Sequence, residues 1–186
     1  MGAAREPIDV IPIVAVFGRS QVLRQWGIEQ MSQRFGTPFL VTCPQPFVAS
    51  GYYTTSMGPD LQKQFIGFDG LADPGELAQW KLWTNAMEQA CEPDDRSGQV
   101  VRPLNLDCGY VTEAKLVLAT TKDRDHRIYL SAGIYAEVTL SYAGRKWNRH
   151  RWTYPDYCTP QALDFAESCR LRLREHLRRT RVAPPA

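Results

Sequence analysis

The stretch Ile11-Pro-Ile-Val-Ala-Val-Phe17, followed by Gly18-Arg19-Ser20, sets the reading of the fold. A short apolar run bounded by glycine has the pattern of a buried strand. Ser20 then offers a side-chain oxygen to the free N–H groups of a helix start. Val22, Leu23, Trp26, Gln30 or Met31, and Phe35 follow at helical spacing, and Gly36 ends the helix.

Working outward, residues 38–48 read as an extended strand broken by Pro44 and Pro46, which suits a sheet edge. Residues 49–60 read as a loop, rich in aromatics for a loop. Residues 61–69 alternate as a strand. In Asp73-Pro74-Gly75-Glu76, Asp73 is the cap, Pro74 takes the first helical position and Glu76 is placed to bond back. The helix that follows carries Leu77, Trp80, Trp83 or Thr84, and Met87 on its apolar face. Lys81, Asn85 and Glu88 share the opposite stripe, which is read as solvated. Residues 99–106 read as a strand, and Thr112 opens a helix over Ala114, Leu116, Val117 and Leu118. Residues 127–130 and 134–142 form a hairpin around Ser131-Ala132-Gly133. A last amphipathic helix runs from 160 to about 179.

The element order is β-α-β-β-α-β, then α-β-β-α. Its first six elements follow a ferredoxin-like split βαβ unit. The expected class is α+β: a ferredoxin-like core with an added helix, a hairpin and a C-terminal helix. At 186 residues the chain is expected to form one domain over 1–186, ordered over roughly 10–180 with frayed ends.

A hydrophobic content of 44% excludes disorder for the bulk of the chain. No apolar run approaches the ~18–20 residues of a membrane span, and no basic-then-apolar leader is present, so a cytoplasmic protein is expected. Cys43, Cys91, Cys108, Cys158 and Cys169 form no C-x-x-C pair, and are read as reduced and mostly buried. Residues 145–186 hold ten Lys/Arg against four Asp/Glu, a net +6, which leaves −4 for the rest of a chain of net +2. Such asymmetry marks either a solvated helix or a surface for acidic partners.

Several motifs in order carry a family resemblance: Tyr52-Tyr53-x3-Met57-Gly58, Lys81-Leu82-Trp83-Thr84-Asn85, Asn105-Leu106-Asp107-x-Gly109-Tyr110, and Lys115 to Lys122. His126-Arg127-Ile128-Tyr129-Leu130, Gly133 to Leu140, and Trp152-Thr153-Tyr154-Pro155-Asp156-Tyr157 complete the set. Together they resemble the bacterial family called domain of unknown function 4416, over nearly the whole chain. The resemblance implies no established activity. Members are sometimes labelled GTP-binding, but this sequence has no G-x-x-x-x-G-K-[ST] loop. Its Thr121-Lys122-Asp123-Arg124 also lacks the spacing of a guanine-reading N/T-K-x-D. Cys108 stands where the family commonly has proline.

Residues 105–137 combine polar density with apolar core. Asn105 and Asp107 lie at an expected strand end, Gly109 allows a turn, and a helix opening at Thr112 would aim its N–H groups at the same place, as anion sites do. Lys115, Ala119 and Lys122 fall on one helical stripe. Arg127 can fork onto phosphate or carboxylate. The functional reading is a cleft for a phosphorylated or other anionic small molecule, a nucleotide among them. Asn105, Lys115, Lys122, Arg127, Tyr52 and Tyr53 are its binding residues, and Asp107, His126 and Glu137 its catalytic candidates. The structural reading of the same residues is a buried network built on an Arg127–Glu137 pair. Asp123, Asp125 and His126 lack a second His–carboxylate partner, so no metal cofactor is expected. The alternative function is a non-enzymatic RNA- or protein-binding module using the basic C-terminal helix, with weak nucleic-acid binding.

Overall fold

Strand β1 (Ile11–Gly18) is buried along its whole length, because it is central in the sheet and covered on both faces. It is followed by α1 (Gln21–Phe35), β2 (Pro38–Val41), β3 (Gln45–Pro46), α2 (Thr54–Met57) and β4 (Gln62–Phe68). Then come α3 (Leu77–Ala90), β5 (Asn105–Val111), β6 (Lys115–Thr120), β7 (Ile128–Ser131), β8 (Ile134–Ala143), β9 (Lys146–Arg149) and α4 (Pro160–Val182). These elements come from a computed structural model that describes residues 2–48, 53–93 and 100–182.

The described residues form an α+β fold: one nine-stranded sheet, antiparallel throughout, with four helices. The strand order is β2-β4-β1-β5-β6-β8-β7, with β3 on β4 and β9 on β8. Side chains alternate across β1. Val14 and Val16 pack with Ile28, Met31 and Phe35 of α1 and Leu77 and Trp80 of α3. Ile11, Ile13 and Ala15 pack with Ala162, Phe165, Cys169 and Leu173 of α4. The sheet is thus the middle of three layers.

Local chemistry fixes the helix ends. Ser20 accepts the Leu23 N–H at 3.2 Å, and Gly36 takes φ +81° after Phe35. Asp73 accepts the Gly75 N–H at 2.8 Å and opens the 3-10 turn that leads into α3. Glu76 does not bond back to close a capping box. It accepts the Trp80 indole N–H at 3.3 Å instead.

Two expectations are corrected. The strand expected over 99–106 is β5, at 105–111; Gln99 lies outside the described residues. The helix expected from Thr112 is strand β6, joined to β5 by a tight turn. Thr112 does cap, but it caps that turn: its hydroxyl accepts the Ala114 and Lys115 N–H groups at 3.1 and 3.0 Å. Leu116 and Leu118 pack toward α4 while Val117 and Ala119 pack toward α3. A strand buried on both faces shows no polar alternation, which is why the run also reads as helix. The hairpin around Ser131 forms, with Ala132 and Gly133 in left-handed backbone. Strand β9 was not expected; Gly144 and Arg145, both at positive φ, make its two-residue turn. Tyr52 and the terminal residues 183–186 lie outside the described residues.

Candidate binding cleft

The cleft exists because β5 and β6 part. Their ladder holds only Gly109↔Leu118, Tyr110↔Val117 and Val111↔Leu116. Beyond it, β5 continues along β1 to Asn105 while β6 continues along β8 to Thr120. Gly109 marks the closest approach: a Cβ there would lie inside contact distance of the Val117 carbonyl oxygen. The expected turn at Gly109 is therefore a strand position that needs glycine for want of space.

Where β6 has left, α3 supplies the missing partners. Glu88 Oε1 accepts the Leu106 backbone N–H at 2.7 Å, and Lys81 Nζ donates to the Leu106 carbonyl at 2.9 Å. Lys81 and Glu88 are 5% and 8% exposed, so the stripe read as solvated is buried against the sheet. Burial opposes the Lys81 charge, but Asp107 at 3.8 Å and Glu88 at 3.7 Å outweigh it and hold its pKa above the ordinary lysine value. Arg102 extends the network, donating to Glu88 at 2.5 Å and to Asn105 Oδ1. Sequence reasoning missed this constellation, although 77, 81, 84 and 88 continue the spacing of the buried stripe.

The resulting cleft encloses about 210 Å³. Asn105 and Asp107 line it from β5; Leu118, Ala119, Thr120 and then Thr121 and Lys122 line it from β6 onward. Phe17, Phe47 and Tyr53 form an aromatic wall with ring centroids 4.7–6.2 Å apart. Lys63 stands among the rings of Phe17, Phe47, Phe65 and Tyr157 and binds Asp156 at 2.5 Å.

Arg127 and Glu137 meet as the structural reading requires. Arg127 Nε donates to Glu137 at 2.8 Å, Nη1 to the Lys122 carbonyl at 2.8 Å and Nη2 to the Tyr154 hydroxyl at 2.9 Å. Burial opposes the Arg127 charge; the hydrogen bond and charge of Glu137 reverse that and raise its pKa. The Thr139 hydroxyl donates to the other oxygen of Glu137 at 3.3 Å. His126 Nε2 lies 3.4 Å from Glu137, its Nδ1 meets Asp125 at 3.0 Å, and its ring stacks on Trp152.

The structure thus brings Asn105, Asp107, Lys122, Arg127, Glu137 and Tyr53 to one cleft. His126 supports Glu137 and does not line it. Lys115 is exposed at the other end of β6, so the basic stripe with Ala119 and Lys122 and the helix-terminus anion site do not form. Lys63, Lys81, Arg102, Asp156 and Tyr157 were not anticipated as site residues.

Two groups at the cleft stand out among the described residues. Asn105 is 1% and Tyr157 2% exposed, yet Asn105 Nδ2 and the Tyr157 hydroxyl have no hydrogen-bond partner. The Arg102 donor holds Asn105 with its oxygen outward to the guanidinium, leaving Nδ2 as the orphan. Burial, then Asp107, Asp156 and Glu137, push the Tyr157 pKa well above the ordinary tyrosine value, so it remains a neutral phenol. Native proteins rarely leave such groups unsatisfied. No group of three or more His, Cys, Asp or Glu among the described residues is arranged to hold a metal ion. No described helix is long and apolar enough to cross a membrane.

Fold and cleft define an α+β protein whose single antiparallel sheet, covered on both faces, is split by a polar pocket. A family model described as Domain of unknown function (DUF4416) matches residues 9–172, and the chain belongs to that family. No curated protein and no solved structure matches it significantly.

Proposed function

We propose that this cleft binds a small molecule carrying an anionic group, such as a phosphate ester or a nucleotide. The observation that carries the reading is the pair of unpartnered buried groups, Asn105 Nδ2 and the Tyr157 hydroxyl, on two residues that line one cleft. Each costs on the order of 1–3 kcal/mol while unsatisfied, a cost that a bound ligand removes. Among the lining residues five bases (Lys63, Lys81, Arg102, Lys122, Arg127) outnumber three acids (Asp107, Glu137, Asp156), which favours a ligand of negative charge. The test is native mass spectrometry of freshly purified protein, followed by thermal melts with inorganic phosphate, pyrophosphate and nucleoside monophosphates. A retained small molecule or a ligand-dependent rise in melting temperature is expected; neither appearing would overturn the reading.

The four strands β2-β4-β1-β5, with α1 and α3 sharing one face, support a ferredoxin-like core to which β6–β9 and α4 are added. Reduced buried thiols support a cytoplasmic location. The second reading, RNA or protein binding by α4, has less support. Arg170, Arg172 and Arg174 are engaged with Glu113, Asp69, Glu167 and Glu175.

A further inference from the structure

The last strand of the sheet is left open. Strand β7 pairs with β8 on one side, and no other described strand pairs with it. Its Ile128, Tyr129 and Leu130 are 70%, 58% and 39% exposed. From residue 128 to residue 136 the chain carries no charge and no proline. A register irregularity falls at Leu130, but Ile128 and Tyr129 stay in pairing with Ala136 and Tyr135. Such an edge offers unpaired N–H and C=O groups beside apolar side chains, and natural sheets ordinarily blunt it.

Elsewhere the described boundary of the sheet is blunted. On the same edge, β9 pairs with the far half of β8 and carries Lys146 and Arg149, with Arg145 in its turn. Between β7 and β9, the Trp152 indole N–H and the Thr153 hydroxyl donate to the Val138 and Thr139 carbonyls at 2.9 and 2.7 Å. At the opposite edge, β2 and β3 hold Pro38 and Pro46, with Pro44 between them. Among these segments β7 alone has neither a charge nor a proline.

We propose that β7 pairs with β7 of a second copy of the chain, antiparallel about a two-fold axis normal to the sheet, so that the two sheets become one. The charge pattern selects a second copy. A two-fold axis sets each residue of the strand near its own symmetry mate, which a basic strand such as β9 resists and an uncharged one allows. The pairing also continues the antiparallel ladder that β7 already makes with β8. That axis keeps the faces of the two sheets in register, with α1 and α3 of both copies on one side and α4 of both on the other. Tyr129, whose ring meets that of Tyr135 with centroids 5.4 Å apart, then lies on the same face as its mate. The contact is isologous and closes at two copies. Built on one short strand, it makes a concentration-dependent dimer rather than a permanent one.

The experiment is sedimentation velocity of the full chain from about 1 μM to about 1 mM, the range in which a weak specific contact is populated. Monomer gives way to dimer as the concentration rises, with no larger species. Tyr129→Lys and Tyr129→Glu each set like charges together across the axis, and each weakens the dimer about tenfold or more. An equal mixture of the two restores it, because opposite charges then meet. Leu171→Lys, at an exposed position of α4, leaves it unchanged. Circular dichroism and melting curves establish that the variants fold, and Leu130→Lys replaces a Tyr129 variant that does not. A monomer throughout the range overturns the inference. So does a dimer that survives both Tyr129 variants, a mixture that stays monomeric, or a dimer lost equally with Leu171→Lys.

Discussion

Lys81 of α3 donates to the carbonyl oxygen of Leu106 in β5 at 2.9 Å, in the place where a neighbouring strand would present a backbone N–H. Glu88, two turns further along the same helix, takes the Leu106 N–H. One residue of sheet edge is thereby satisfied by a helix, and the sheet can divide there without orphaning its backbone. The cleft follows from that substitution.

Replacing Lys81 should therefore be severe. Lys81→Met leaves the Leu106 carbonyl without its donor and Glu88 and Asp107 without their shared cation, and breaking such a buried arrangement costs about 3–5 kcal/mol. Lys115→Met, at an exposed strand end, should stay within about 0.5 kcal/mol of wild type. Urea unfolding of the two variants decides it. Comparable small losses would show that Lys81 does not hold the edge.

Gly109→Ala tests the point where the strands part. The added methyl meets the Val117 carbonyl and the Leu118 backbone, neither of which can move without disturbing the ladder. A loss of about 1–3 kcal/mol is expected from such overpacking, together with a change in the shape of the cleft, because β6 must shift. An unperturbed melting curve would place the strands further apart than the structure has them.

These same residues show where the sequence was legible. Elements bounded by glycine or by a definite cap were readable: β1 before Gly18 and Ser20, Asp73 and Pro74, the Ser131 hairpin, and the helix from Pro160. Lys115 to Thr120 was not, because burial on both faces erases the alternation that separates strand from helix. Asn105, Asp107, Arg127 and Glu137 were legible as polar residues among apolar ones, whereas Lys122 was picked out by a helical stripe that does not form. Lys81 and Glu88 were not, because charged residues on a helix are ordinarily solvated. Only the register of α3 on a divided sheet shows that they point inward. Asp156 and Tyr157 come from a 3-10 turn whose approach to the cleft no local pattern encodes.

Acid stability should carry the mark of Asp69, which ties the end of β4 to α4. Arg172, and with it His176, hold the Asp69 carboxyl down at about 2. An unfolded aspartate titrates near ~3.9, so the folded form binds fewer protons between these values. The stabilisation is complete above about pH 4 and fades as the pH falls toward 2. Asp69 is more than one third exposed, which limits the effect to at most about 1 kcal/mol. Asp69→Asn should lower the melting temperature slightly at pH 7 and flatten its fall between pH 4 and 2. An unchanged acid slope would dismiss the tie.

Thiol chemistry separates the cysteines. Burial raises the Cys108 pKa to about 11 and that of Cys169 higher still, while Cys43 is exposed. A thiol-reactive disulfide reagent should label Cys43 within minutes in the native protein, reach the half-buried Cys158 more slowly, and find Cys108 and Cys169 only after denaturation. Rapid native labelling of Cys108, mapped by peptide mass spectrometry, would mean that the β5–β6 opening extends through the sheet.

The basic C-terminal segment gives the last test. Its net +6 suggests a polyanion surface, but Arg170 is spent on the fold. It donates to the Glu113 carbonyl at 2.8 Å, and its guanidinium lies 3.7 Å from the centre of the Tyr142 ring. Arg172 and Arg174 reach Asp69, Glu175 and Glu113. With these three cations engaged within the fold, binding to a random RNA should be weak and should vanish between ~50 and ~200 mM salt. Arg170→Gln should lower the melting temperature while leaving that weak affinity unchanged, since the side chain serves packing. RNA binding that survives 200 mM salt and is lost with Arg170→Gln in a folded variant would move the function from the cleft to α4.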